Sequence, residues 1–243
     1  MIAQNLKVLR ENIERKCAEV NRDPSSVKLV AVSKNFGLEE ITRAVNEGVQ
    51  DFGENKAQEL KFKFENYPAN AEQKITWHFI GNLQKNKVKY VVNAAEFIHS
   101  VDSKELLDEI NKRAGKLDKI QKILLEVKTS CEDSKAGIEE KRELKNLVSY
   151  CKNLPNINLL GLMTIAPFTE DKDIFRKSFS DLRNLKDELN TEGYNLTELS
   201  MGMTSDYEIA IEEGATMIRV GSAIFGQRDY SKEINKSLDR KEI

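Results

Sequence analysis

Lys34 closes the run Lys28-Leu-Val-Ala-Val-Ser-Lys34, so an amine follows directly on an apolar segment. An ammonium in such a place loses hydration, and desolvation favours the neutral amine that can attack a carbonyl carbon. A surface lysine that merely follows a strand is the bland alternative, and position alone does not decide between them. Arg219 raises a second question. It interrupts Met217-Ile-Arg-Val-Gly221, an otherwise apolar run in which an unpaired guanidinium would be costly. It either faces a ligand or pairs with a carboxylate such as Glu54 or Asp206, and the spacing leaves both open.

Two further segments, Gly202-Met-Thr-Ser205 and Gly221-Ser222, join small residues to hydroxyls. Backbone N–H groups there can approach an anion while the hydroxyls complete its shell. Taken singly, each is explained as well by turn chemistry and a helix N-cap at Thr204 or Ser205. His78 and His99 are the two histidines, too few for a metal cage. His99 reads as structural, whereas His78 reads equally as a loop or ligand contact and as a hydrogen-bonded core residue. Lys85, Lys87 and Lys89 read as a solvated helix face. There is no phosphate-binding G-x-x-x-x-G-K-[ST], no zinc-binding H-E-x-x-H and no G-x-S-x-G nucleophile motif.

Apolar residues Ile2, Leu6, Leu9, Ile13, Cys17 and Val20 recur at three- and four-residue steps, predicting an N-terminal helix over 2–20. Eight short apolar runs follow, at 28–34, 49–53, 75–80, 96–101, 122–127, 157–165, 196–201 and 216–221, with helical patterns between them. Strands buried on both faces and separated by helices imply a parallel sheet. A βα unit repeated this often predicts a (β/α)₈ TIM barrel over about 28–230, although an open doubly wound sheet shares the pattern. In a barrel the candidate residues fall at strand ends, and the two Gly–hydroxyl segments follow the last two strands, where phosphate is often held. No linker divides the 243 residues, so one domain over 1–243 is expected, ending in a charged tail after Tyr230.

Composition sets limits on function. With 40% hydrophobic and 32% charged residues and a net charge of −2, the chain has no general attraction to nucleic acid or anionic membrane. The longest nearly apolar stretch, Leu159 to Ala166, is too short to span a bilayer, and Met1 to Arg10 lacks the core of a signal peptide. A cytoplasmic protein is expected. Cys17, Cys131 and Cys151 form no C-x-x-C pair and are expected to be reduced thiols.

Taken together, the residues resemble the pyridoxal phosphate homeostasis protein family, single-domain relatives of the alanine racemase N-terminal barrel with the type III fold. The resemblance spans most of the chain. It rests on Leu29-Val-Ala-Val-Ser-Lys34, Phe52-Gly-Glu-Asn55, Trp77-His-Phe-Ile-Gly-Asn-Leu-Gln-Lys-Asn-Lys87, Gly161-Leu-Met-Thr164, Ser200-Met-Gly-Met203 with Asp206, and Ile218-Arg-Val-Gly-Ser-Ala-Ile-Phe-Gly226. It implies that Lys34 forms a Schiff base with pyridoxal 5'-phosphate and that Arg219 faces the pyridine nitrogen. Thr204, Gly221 and Ser222 would hold the phosphate, with Asn55 and Met203 lining the ring. It further implies a carrier or regulator in cofactor homeostasis with no established turnover; apo-enzymes as recipients and a monomeric state are expected beside it. An arginine there disfavours protonation of the nitrogen and weakens the electron sink of carbanion chemistry, which fits that role. A small amino-acid racemase or decarboxylase is the competing reading. Three positions depart from the family pattern: Lys56 stands for the usual tyrosine, Lys128 for a common asparagine, and Asn35-Phe36 follows the lysine in an unusual way.

Overall fold

The computed structural model describes residues 1–68, 74–129 and 137–226. Strands β1 (Lys28–Val32), β2 (Asp51–Glu54), β3 (Thr76–Phe79), β4 (Phe97–Val101), β5 (Gln121–Glu126), β6 (Ile157–Met163), β7 (Glu198–Ser200) and β8 (Met217–Val220) pair in chain order into a closed ring. Every pairing is parallel, and β1 meets β8 with Val30 opposite Arg219. The eight apolar runs thus form a closed barrel and not an open sheet, as the (β/α)₈ reading expected.

Around the ring lie α2 (Leu38–Asn46), α3 (Ala57–Asn66), α4 (Val88–Ala94), α5 (Lys104–Gly115), α6 (Lys141–Cys151), α7 (Lys172–Thr191), α8 (Tyr207–Glu212) and the short α9 (Ser222–Phe225). The N-terminal helix α1 (Ile2–Glu19) packs outside them against α2, α8 and α9. Its period places Leu6, Leu9, Ile13 and Cys17 on one buried face. Asn5 donates to the Ile224 carbonyl at 2.9 Å, and Arg22, just past α1, donates to the Ile211 and Ala215 carbonyls at 2.7 Å each.

Strand alternation divides the core in two. Outward residues such as Phe52, Phe79, Ile98, Leu125 and Ile218 pack under the helices in one large apolar cluster. Inward residues Val30, Phe97, Leu124, Met163 and Met217 form a smaller cluster within the ring. A filled lumen closes the barrel floor, so ligands can be held only at its rims. Gly81 marks a tight place at the upper rim, where an added Cβ would lie 2.2 Å from the Asn55 carbonyl oxygen. The charged tail after Tyr230 and Cys131 lie outside the described residues. Cys17 and Cys151 are buried and free.

Candidate functional site

A cavity of about 600 Å³ opens where the strands run into their following loops. All seven residues singled out from sequence line it: Lys34 after β1, Asn55 after β2, Met203 and Thr204 after β7, Arg219 on β8, and Gly221 with Ser222 beyond β8. The volume suits a small organic ligand. Val32, Ile80 and Ile165 supply apolar surface.

The backbone beside Lys34 is held from behind. Lys63 on α3 is buried and donates to the Ser33 carbonyl at 2.8 Å, to Glu54 Oε1 at 2.6 Å and to Glu59 Oε1 at 2.8 Å. Ser33 Oγ donates to Glu54 Oε1 at 2.5 Å, and Glu59 Oε1 also accepts the Asn35 N–H at 2.6 Å. Residues 33 and 35 are therefore fixed on either side of Lys34. Burial pushes the Glu54 carboxyl up to about 7 against the pull of Lys63, and its Oε2 has no partner among the described residues. Asn35 takes φ +67°, a left-handed conformation that asparagine tolerates, and turns the chain so that Phe36 stacks on Phe225 with ring centroids 4.9 Å apart.

Arg219 stands on another wall and is 4% exposed. Its Nη1 donates to Ser200 Oγ at 2.7 Å and its Nη2 to the Thr164 carbonyl at 2.9 Å. Burial lowers this guanidinium to about 10, opposed by Asp206 and Glu126. The pairing with Glu54 raised as an alternative does not occur, because Glu54 points outward to Lys63 while Arg219 points into the ring. Glu126, which the sequence analysis did not single out, also lines the cavity. Burial and then Asp102 push its carboxyl up to about 7 against Arg219. Its signal was available as a carboxylate next to last in the apolar run at 122–127.

The loops after β7 and β8 meet. Ser222 Oγ donates to Thr204 Oγ1 at 3.2 Å. Gly202, with φ +89°, lets its carbonyl accept the Arg219 N–H at 2.9 Å, and a Cβ there would lie 2.5 Å from that of Ala210. The N-cap of α8 is Asp206, not Thr204 or Ser205, and it accepts the Met203 N–H. Both hydroxyls are thus left to face the cavity. The helices α8 and α9 have six and four residues, too few for a large dipole, so hydroxyls and first-turn N–H groups are what the loops offer an anion. Asn55 Oδ1 is buried and has no hydrogen-bond partner among the described residues. The cavity thus unites an amine, a guanidinium, paired hydroxyls beside glycine backbone and an unsatisfied amide, groups that together offer donors to an anion and a nucleophile to an electrophilic carbon.

The histidines lie below this cavity. His78 and His99 are fully buried and bond to each other, which makes His78 a core residue and not a loop or ligand contact. Lys85 and Lys87 lie on a single 3₁₀ turn ahead of α4, with Lys85 and Lys89 exposed. Among the described residues no three His, Cys, Asp or Glu side chains converge as a metal site, and no helix is long and apolar enough to cross a membrane.

The family model described as alanine racemase, N-terminal domain, matches residues 4–229. A protein of Aquifex aeolicus named pyridoxal phosphate homeostasis protein is 44% identical over 229 residues, spanning 93% of this chain and 98% of its own. The chain belongs to the pyridoxal phosphate homeostasis protein family. The Escherichia coli (strain K12) member of that name is 35% identical over 237 residues, spanning 96% of this chain and 99% of its own. Among solved structures, PipY of Synechococcus elongatus PCC7942 with pyridoxal phosphate bound has a TM-score of 0.82 and 36% identity, with 93% of this chain and 100% of that one covered. An alanine racemase of Clostridium difficile, with a TM-score of 0.71 and 16% identity, shares the barrel alone and is covered over 57% of its length. For a homeostasis family member, the three departures fall into two groups. Lys56 is exposed at the N-cap of α3 and does not line the cavity, and Asn35-Phe36 forms the turn described above. Lys128 does line the cavity, with its Nζ 3.4 Å from Glu139 Oε2.

Proposed function

We propose that this chain is a single cofactor-holding barrel that binds pyridoxal 5'-phosphate through Lys34 and buffers or delivers it within the cytoplasm to apo-enzymes, without turnover of its own. The observation that carries this reading is the convergence of Lys34, Arg219, Thr204, Gly221 and Ser222 on one cavity. The name and bound ligand of the relatives support it. When bound, the cofactor supplies an aldehyde that amines attack. Lys34 is the amine at hand. Thr204 and Ser222 hydroxyls and the Gly221 backbone would hold the phosphate, where glycine permits close approach. Arg219 would donate to the pyridine nitrogen and so keep a proton off it. Asn55 would satisfy its orphaned Oδ1 on a donor of the ligand or of bound water, and Val32, Ile80 and Met203 would cover the ring.

The test is to incubate the purified protein with pyridoxal phosphate, reduce it with borohydride and digest it for mass spectrometry. One adduct, on Lys34, and loss of visible absorbance in Lys34→Ala are expected. An adduct only on other lysines would overturn the reading. A second reading, slow amino-acid turnover, is favoured by Glu126, a cavity carboxyl poised near neutrality. Loaded protein that exchanges the α-hydrogen of alanine in D₂O, and loses this in Glu126→Gln, would establish it.

A further inference from the structure

Below the cavity a single file of polar side chains crosses the apolar lumen. Arg219 Nη1 donates to Ser200 Oγ at 2.7 Å, Ser200 Oγ lies 2.8 Å from His99 Nδ1, His99 Nε2 lies 2.9 Å from His78 Nδ1, and His78 Nε2 lies 2.9 Å from Asp51 Oδ1. Ser200, His78 and His99 are buried, and the apolar residues of the lumen surround them. The His78 ring stacks on Phe97, with centroids 4.6 Å apart and planes 1° apart. Asp51 begins β2 at the barrel floor, where it is partly exposed and 3.3 Å from Lys28 Nζ.

The ends of this file dictate its direction. A guanidinium only donates, so Ser200 Oγ accepts from Arg219 and has its one hydrogen free for His99 Nδ1. His99 then carries its proton on Nε2 and donates it to His78 Nδ1. His78 in turn carries its proton on Nε2 and donates it to the Asp51 carboxylate, which only accepts. Reversing the file would aim a bare imidazole nitrogen at a carboxylate unless His78 took a second proton. Burial lowers the pKa of His78 and holds that of His99 well below its ordinary value, which disfavours that second proton. Burial works to raise the Asp51 carboxyl, but His78 and Lys28 outweigh it and hold it ionised.

We propose that Asp51, His78, His99 and Ser200 are positioning residues for Arg219, locking the guanidinium at the cavity through a one-way file of hydrogen bonds anchored at the opposite end of the barrel. The file fixes two tautomers through the fixed roles of its end groups and the burial of its rings; its effect on the cofactor rests on the pyridoxal phosphate reading above. His78 and Asp51 do not line the cavity, so their influence on it must pass through Ser200 and Arg219.

Because the chain has two histidines, ¹⁵N-histidine labelling of the ligand-free protein reports each ring separately. Both rings are expected as the neutral Nε2–H tautomer near pH 7. In His78→Phe, which keeps a ring against Phe97 but cuts the file, His99 is expected to switch to Nδ1–H and donate to Ser200. Pyridoxal phosphate should then bind about threefold to thirtyfold more weakly, the range that coupling through such networks spans, with a shifted visible spectrum. An Nδ1–H tautomer or an imidazolium at either ring of the unmodified protein would overturn the proposal. So would a His78→Phe protein that loads Lys34 with unchanged affinity and spectrum. Should the unmodified protein fail to load Lys34 at all, the binding reading falls while the tautomers still decide the file.

Discussion

Two buried polar assemblies flank the cavity, and they are built on opposite principles. Behind Lys34, outside the strand ring, Lys63, Glu54 and Glu59 concentrate charge within a few ångströms, and Glu54 keeps one oxygen without a partner among the described residues. Beside Arg219, inside the ring, neutral imidazoles and a hydroxyl extend from one rim to the other, with each nitrogen and oxygen of the file engaged. The first arrangement holds its backbone by Coulomb attraction and so responds to protonation. The second holds its arginine by direction, through groups that burial keeps uncharged. The scaffold behind the amine is therefore the titrating one, while the file behind the guanidinium is neutral between its ends, and the titrating carboxyl on that side is Glu126 at the cavity itself.

The largest expected break in this contrast is Lys63→Met. It strands Glu54 and removes the donor to the Ser33 carbonyl, so denaturant unfolding should show a loss of about 3 kcal/mol. Lys63→Met combined with Glu54→Leu should recover part of it, since Glu54 is then no longer stranded while the Ser33 carbonyl and Glu59 still lack their donor.

The pH dependence is next in size. The folded-state pKa of Glu54, about 7, lies above its ordinary value of 4.5, so between these values the native state binds the extra proton. Its contribution is fully present below about pH 4.5 and is lost as pH rises through 7, at up to about 1.4 kcal/mol per pH unit and about 3 kcal/mol in all. Measured against the unmodified protein, Glu54→Gln should flatten that fall. A variant on the arginine wall, Ser200→Ala, should leave the slope intact while costing about 1–2 kcal/mol, because Arg219 loses one acceptor and His99 its donor. Equal slopes for both variants would erase the distinction between the walls. The smallest effect belongs to the turn itself: Asn35→Ala should cost about 1 kcal/mol by forcing alanine into a left-handed conformation, whereas Asn35→Gly should not. Thermal melts would check that pair.

How legible each wall was in the sequence follows from the same physics. The strands could be read because both their faces are buried, which turns each into a short apolar run. Lys34 and Arg219 stood out as charges at the end and in the middle of such runs. Lys63 did not, because it lies on α3 beside Lys61 and beside Phe62 and Phe64, which are 59% and 41% exposed. There the apolar side chains face outward and a lysine faces in, the reverse of an amphipathic helix. A faint signal existed in its three-residue spacing from Leu60, another buried position. The histidine file was illegible for a different cause. Its members sit on four strands far apart in sequence: strand pairing brings Asp51, His78 and His99 together, and only barrel closure carries His99 across the lumen to Ser200. The anion loops were half legible: the Gly–hydroxyl pairs marked their place, but the start of α8 at Asp206, whose carboxylate turns back to the Met203 N–H and which leaves Thr204 and Ser205 outside the cap position, depends on local backbone geometry.

The pairing of β1 with β8 couples this site to how the chain folds. Lys34 follows the first strand and Arg219 lies on the last, and Val30 and Arg219 become neighbours only when the ring shuts. During synthesis the amine therefore exists long before the groups that face it, and no partial barrel holds both. A compound that touches both strands clamps the most remote contact in the topology, the one with the greatest loop-closure cost. Its presence should draw the population toward the shut ring by mass action, so that supply of ligand and yield of intact protein rise together.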